Sequence, residues 1–168
     1  MEIDQVRRVR QNHALEHAAV SLLLSRGVTP PLGGYSAPGG FLIFGRASTG
    51  LVTEAVRDAA ERLRSGQREL AVSPHCGTNL VIGALLARFL STTIAGRERD
   101  RRGRRLVAMV ASIVGATLLS RPLGGVLQRR YTTLADLSDL EVAGVGRLWT
   151  SKAGRFALHW VRTERSAI

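Results

Sequence analysis

Residues 80–127 read LVIGALLARFLSTTIAGRERDRRGRRLVAMVASIVGATLLSRPLGGVL, two apolar runs on either side of a charged knot. Leu80 to Gly96 is interrupted only by Arg88, Leu106 to Ser120 carries no charge, and apolar character resumes after Arg121-Pro122 through Leu127. Between them, Arg97 to Arg105 holds six arginines against Glu98 and Asp100. The pattern predicts a helical hairpin with a charged turn. Both runs sit at the lower edge of the roughly 17–25 residues that cross a bilayer. Arg88 at mid-membrane would cost about 2.5–3.5 kcal/mol, less where it snorkels or meets a partner helix. The alternative is a soluble hairpin buried by the rest of the chain. Two helices that are apolar all round need more cover than so short a chain can supply, which favours a membrane. Orientation is not decided, because Arg62, Arg64, Arg68, Arg121, Arg129 and Arg130 balance the arginines of the turn.

Working outward, the chain has 168 residues and 18.1 kDa, enough for one ordinary domain. Hydrophobic residues make up 45% and mean hydropathy is +0.04, which excludes wholesale disorder and a disulfide scaffold. Formal net charge is +11, carried by 23 arginines and Lys152 alone, a skew read here as codon bias. Such charge suits nucleic acid, anionic lipid or an acidic partner. Aromatic residues are only 5%, and no basic stretch interleaves them as base stacking requires, so nucleic acid is not expected. The expected partners are membrane lipid and a small-molecule or peptide substrate, with homo-oligomerisation left open. Cys76 is the one cysteine, so no intrachain disulfide can form. Its first dozen residues lack the apolar core of a signal peptide. A protein integral to the cell membrane, with its N-terminal domain in the cytoplasm, is the expectation.

Residues 3–26 read as a helix whose stripe is Val6, Val9, His13, Glu16, His17, Val20 and Leu24. Gly27 and the TPPLGG segment from Thr29 to Gly34 end it. A short β segment is expected over Tyr35 to Gly45. Ser48 or Thr49 caps a second helix, with Val52, Ala55, Val56, Ala59, Ala60 and Leu63 on one face until Gly66. Glu69 to Val72 reads as a strand leading into the polar loop Ser73-Pro74-His75-Cys76-Gly77-Thr78-Asn79. Thr78 and Asn79 either cap the helix that follows or hydrogen-bond a substrate, and capping is the expectation. Leu140 to Trp149 and Arg155 to Thr163 flank a turn at Ser151 to Gly154 as a β-hairpin. The whole is an α+β protein: a helix-and-sheet metal-binding region over 1–79, a transmembrane helical hairpin over 80–127, and a C-terminal β-hairpin over 128–168 completing the domain.

The chemistry concentrates at His13-Ala14-Leu15-Glu16-His17. Histidines four apart on a helix stack their rings one turn above each other, close enough to share a cation, and Glu16 lies on the same stripe. There it can take a proton from water that the cation acidifies. The four histidines of the chain are His13, His17, His75 and His159. A catalytic zinc site wants three protein ligands and an open position, which His13, His17 and Cys76 supply. His75 either replaces Cys76 or orients it from behind. Cys76 as buried filler, and the two helix histidines satisfied by backbone or carboxylate partners, are the competing readings. Burying His, Glu and His on one stripe without a metal demands several separate partners, which favours a divalent metal, zinc first. His159 has opposite strand parity from Phe156, Leu158 and Trp160 and is expected to face away from them in a surface or structural role.

The blocks HALEHA, GGFLIFG, AVRDAAERLRSGQRELAV and HCGTNLV, followed by two apolar segments, resemble a bacterial membrane-protein family of unknown function from about Asn12 to Tyr131. More distantly, the H-x-x-E-H helix followed by strands, a second helix and a late ligand is similar to the metallohydrolase superfamily of pitrilysin-type peptidases and S-ribosylhomocysteinase. That resemblance implies His13, His17 and Cys76 as ligands and Glu16 as general base. The chain lacks the second, catalytic cysteine of S-ribosylhomocysteinase, which sets that reaction aside. A pitrilysin-type glutamate ligand would fall near Glu98, inside the arginine-rich turn. The expected function is a membrane-bound, metal-dependent hydrolase; the alternative is a non-catalytic membrane subunit whose metal is structural or absent.

Overall fold

The computed structural model describes residues 2–74, 76–97 and 102–166. In chain order these form α1 (Glu2–Ser25), β1 (Gly33–Ala37), β2 (Gly40–Gly45), α2 (Thr49–Arg64), a 3-10 turn (Arg68–Ala71), α3 (Gly77–Arg97) and α4 (Arg102–Leu127). A π-helical turn (Gln128–Thr132), β3 (Leu140–Thr150) and β4 (Ala157–Arg165) follow. The four strands make one antiparallel sheet in the order β1-β2-β4-β3, so the fold is α+β. The chain divides into two units, Met1–Ser73 with Arg129–Ile168, and Pro74–Gln128.

In the first unit, β4 sits between β2 and β3, pairing Phe41 with Val161 and Ile43 with His159. Alternation puts Ala157, His159, Val161 and Thr163 on one buried face. Phe41, Ile43 and Val161 there pack with Leu15, Ala19 and Leu23 of α1 and Val52, Val56 and Ala59 of α2. The expected stripe of α2 is buried in full, and Ser48 caps the helix by accepting from the Leu51 amide at 3.2 Å.

Four details depart from the sequence expectation. Tyr35 to Gly45 is a hairpin rather than a single segment, because Pro38-Gly39 forms a two-residue turn between Ala37 and Gly40. Gly40 has φ +146°, and a Cβ there would lie 2.0 Å from the Val161 carbonyl oxygen, so only glycine fits. Glu69 to Val72 is a 3-10 turn, not a strand: the Val72 amide donates locally to the Glu69 carbonyl at 3.1 Å. The third is α1, whose residues 14–20 are all buried, so it is enclosed on every side instead of along one stripe, while Val6 is left exposed. Finally, the hairpin turn runs two residues longer than expected, closed by the Ser151 amide donating to the Phe156 carbonyl, and β4 begins at Ala157.

The second unit is a pair of packed helices with inverted polarity. Ser112, Ala116, Ser120, Gly124 and Gln128 recur every four residues on α4 and its extension and are buried. Val110, Ile113, Val114, Leu118 and Leu119 are exposed by 46–69%. Small residues let the backbones approach: a Cβ at Gly83 would meet Ser120 at 3.5 Å, and one at Gly124 would strike the Asn79 side chain. Among the described residues, one helix is long and apolar enough to cross a membrane, Met109–Thr132; the apolar part of α3, Val81–Thr93, is shorter. Of the charged turn, residues 98–101 lie outside the described residues.

The parity expected of His159 holds, but the face opposite Leu158 and Trp160 is the core: His159 is 1% exposed, which overturns a surface role. Its Nε2 lies 3.3 Å from Thr49 Oγ1, and its Nδ1 has no hydrogen-bond partner among the described residues. Burial first, and then the Arg147 charge, lower its pKa from 6.5. The unfolded chain therefore binds a proton that the folded chain refuses. This group's stabilisation is complete above pH 6.5 and is lost as pH falls below it, by at most about 1.4 kcal/mol per pH unit. Thermal unfolding followed between pH 7.5 and 5.5 is expected to show a shallower acid loss in His159→Gln than in the wild type.

Candidate metal centre

His13 and His17 lie one turn apart on α1, with ring centroids 4.2 Å apart and planes at 61°. Their Nδ1 atoms face backbone carbonyls: His13 that of Thr132 at 3.0 Å, His17 that of Ala71 at 2.9 Å. A carbonyl oxygen only accepts, so each Nδ1 carries the proton in these bonds and Nε2 is the nitrogen left with a lone pair. Both rings are thus held in the tautomer and orientation that metal-binding histidines adopt when a carbonyl backs them. The two supports come from segments far apart in sequence, the 3-10 turn and the end of the π-helical turn.

The third donor is Cys76, buried, immediately before α3. His13, His17 and Cys76 form a group whose ligand atoms all lie within 4.8 Å of one another, and that could hold a metal ion. Two imidazoles and a thiolate suit a borderline-soft divalent cation, and three ligands leave a tetrahedral ion one open position. The donor chemistry and the carbonyl backing of both rings fit such an ion.

Glu16 is 7% exposed and points at the β1 strand. Its Oε2 accepts a 2.6 Å hydrogen bond from the Ser36 hydroxyl. Gly34 makes room for it, since a Cβ there would come within 2.8 Å of the Glu16 side chain. Ser36 was not among the residues singled out from the sequence; strand alternation with Gly34 was the available signal. Ala71 and Thr132 contribute main-chain atoms, so their side chains carry no sign of the role.

The remaining expected residues are placed differently. His75 lies outside the described residues. His159 sits on the inner sheet face beside Thr49 and is not part of the donor group. Asn79 lies inside the first turn of α3 rather than at its cap: its side-chain amide donates to the Pro74 carbonyl at 2.9 Å and accepts from Gln128 at 3.1 Å, a tie to the far end of α4 in place of the capping role expected.

An α+β domain bearing His-x-x-Glu-His on its enclosed helix is the class these features define. The chain belongs to the family described as a domain of unknown function (DUF6391), whose model matches residues 8–145. It is 32% identical over 139 residues to an uncharacterized protein of Picosynechococcus sp., an alignment covering 77% of this chain and 68% of the relative. No solved structure matches the chain.

The donor geometry gives a direct expectation. Untagged protein analysed by elemental mass spectrometry should carry near-stoichiometric transition metal, lost in His13→Ala and in His17→Ala. His159→Ala should retain it, and equal loss in all three would overturn the assignment.

Proposed function

We propose that this chain is a membrane-bound, metal-dependent hydrolase in which His13, His17 and Cys76 hold one divalent cation and Glu16 is the general base. The observation that carries the reading is the convergence of those three donors, with both imidazoles backed by carbonyls. Zinc is the preferred ion, from the Cys-His-His donor set. When bound, the ion would polarise a carbonyl or similar electrophile and make nearby water more acidic. Glu16 would take the proton of the attacking water and pass it to the leaving group. Ser36 orients the carboxylate for that exchange through its hydroxyl. The resemblance to pitrilysin-type and S-ribosylhomocysteinase metallohydrolases adds to this reading at the level of the helix motif and the late Cys76-Gly77 step.

Membrane residence is supported by the inverted polarity of the α3–α4 pair. Only 28% of the apolar window in Met109–Thr132 is buried, whereas the core helix of a soluble protein would be mostly covered. Small and polar residues inside with aliphatic residues outside is the arrangement that lipid selects. Pro122 inside α4 is tolerated more readily there than in a soluble helix. Arg88 is exposed along α3 and must snorkel. A cysteine kept as a thiolate ligand favours the cytoplasmic side for the metal-binding region.

The hydrogen bond from Ser36 also favours a second reading, a non-catalytic membrane subunit in which Glu16 only braces β1 against α1 and the metal is structural. Glu16→Gln separates the two. In the hydrolase, metal stays bound while turnover of a peptide and ester panel falls by roughly 10²- to 10⁴-fold. Weakened metal binding in the variant, with no turnover by the wild type, would establish the structural role instead. Resistance of the wild type to alkaline carbonate extraction tests membrane residence separately; recovery as a monodisperse soluble protein without detergent would overturn it.

A further inference from the structure

Alongside α1 the first unit carries a cleft of about 670 Å³ that the proposed chemistry does not use. Three cations line it: Arg10 from α1, Arg68 from the 3-10 turn and Arg129 from the π-helical turn. None of the three makes a salt bridge among the described residues. Arg10 is anchored, since its guanidinium donates to the Arg130 carbonyl at 3.0 Å and the Thr133 carbonyl at 3.3 Å. Its Nε is buried with no hydrogen-bond partner among the described residues, so the guanidinium keeps donor capacity beyond the two carbonyls that anchor it. Arg68 and Arg129 are exposed and can turn toward a ligand.

Two acids share the lining, Glu69 and Asp136. Asp136 is already engaged, accepting from the Ser138 amide at 3.0 Å and lying 3.8 Å from Arg7. Arg68 also attracts Asp136, so the lining sets three cations against Glu69 and an Asp136 that Ser138, Arg7 and Arg68 share. Ala71, Val72 and Leu134 give the cleft an apolar floor.

Its position adds meaning. Arg10 precedes His13 by one helical turn, and Ala71 is the residue whose carbonyl holds His17. Arg129 lies within the last turn of Met109–Thr132, where a spanning helix would meet the headgroups. Guanidinium forks around an apolar floor recognise a phosphate joined to a carbon chain.

We propose that this cleft binds a phosphate-bearing amphiphile, with the phosphate between Arg10, Arg68 and Arg129 and the adjoining carbon chain on Ala71, Val72 and Leu134. The lipid source rests on the membrane reading above; the phosphate site does not. A lipid headgroup and a soluble phosphate compound share this chemistry, and two probes tell them apart.

The test uses the full chain in neutral detergent. Calorimetric titration with a water-soluble short-chain phosphatidic acid should show binding, and the matching phosphatidylcholine should bind more weakly. Arg68→Gln with Arg129→Gln should weaken phosphatidic acid by roughly tenfold or more. Arg57→Gln with Arg155→Gln, which removes the same charge outside the cleft, should stay within about twofold of the wild type. Competition by inorganic phosphate at similar affinity supports the site with a soluble ligand, and its failure to compete supports the site with a lipid. Absence of phosphatidic acid binding, or equal loss in both double variants, overturns the proposal. Alkaline carbonate extraction of the same wild-type protein keeps the outcomes distinct: a protein that leaves the membrane yet binds the probe retains the cleft and loses the lipid reading.

Discussion

The buried polar side of α1 sets the terms for everything built around it. A helix enclosed on all sides must satisfy each polar group it carries, because a buried donor without an acceptor costs about 1–3 kcal/mol. Five residues of one α1 segment meet this with partners from five places. Gln11 donates to the Asp136 carbonyl, and Asn12 donates to the Ala37 carbonyl while accepting from Thr163. His13 and His17 donate to Thr132 and Ala71, and Glu16 accepts from Ser36. Each bond fixes a loop, turn or strand against the helix, so the helix acts as the hub through which the sheet, the 3-10 turn and the approach to β3 are held in register. A hub of this kind also specifies the site: once both Nδ1 atoms are committed to carbonyls, Nε2 is the nitrogen each ring can offer to a cation.

The second unit follows the opposite rule. Its buried stripe is serine, alanine, glycine and glutamine, and its outer surface is aliphatic. In the membrane proposed above, that outer surface would face lipid. In lipid the outer surface costs nothing, and close backbone approach with interhelical polar ties becomes the favourable contribution. Asn79 and Gln128 are such a tie, buried and bonded to each other across the pair.

Sequence reading reached the parts governed by local rules. The α2 stripe, the serine cap, the C-terminal hairpin and the stacking of His13 and His17 one turn apart follow from helix and strand periods. What escaped it depended on tertiary partners. His159 was correctly placed by parity, yet which face α2 would cover is a matter of packing, and the covered face was the one holding the imidazole. Glu69 to Val72 reads as a strand, but among the described residues no strand pairs with it and its carbonyls are used locally and by His17. The all-round burial of α1 escaped the period analysis because the groups that cover Gln11 and Asn12 lie far away in sequence. Their partners are the Asp136 and Ala37 carbonyls, the Asp139 carboxylate and the Thr163 hydroxyl, each more than twenty residues distant.

The excess of arginine acquires a physical reason at the same level. Composition says how often arginine appears but not where its side chains go. Arg8 donates to the Thr163 carbonyl, Arg10 to two carbonyls ending the π-helical turn, and Arg64 to the Leu140 carbonyl. Each clamps a main-chain oxygen that lies outside its own element, at the end of a helix or strand. A planar guanidinium holds its donors in a fixed fork and loses less freedom per bond than a lysine ammonium. Others pair with acids in the usual way, as Arg26 and Arg62 do with Asp58, whose carboxyl the Arg62 hydrogen bond holds below its ordinary range. Arginine thus closes the ends of elements that converge on α1, whereas Arg68 and Arg129 form no salt bridge among the described residues and stay exposed.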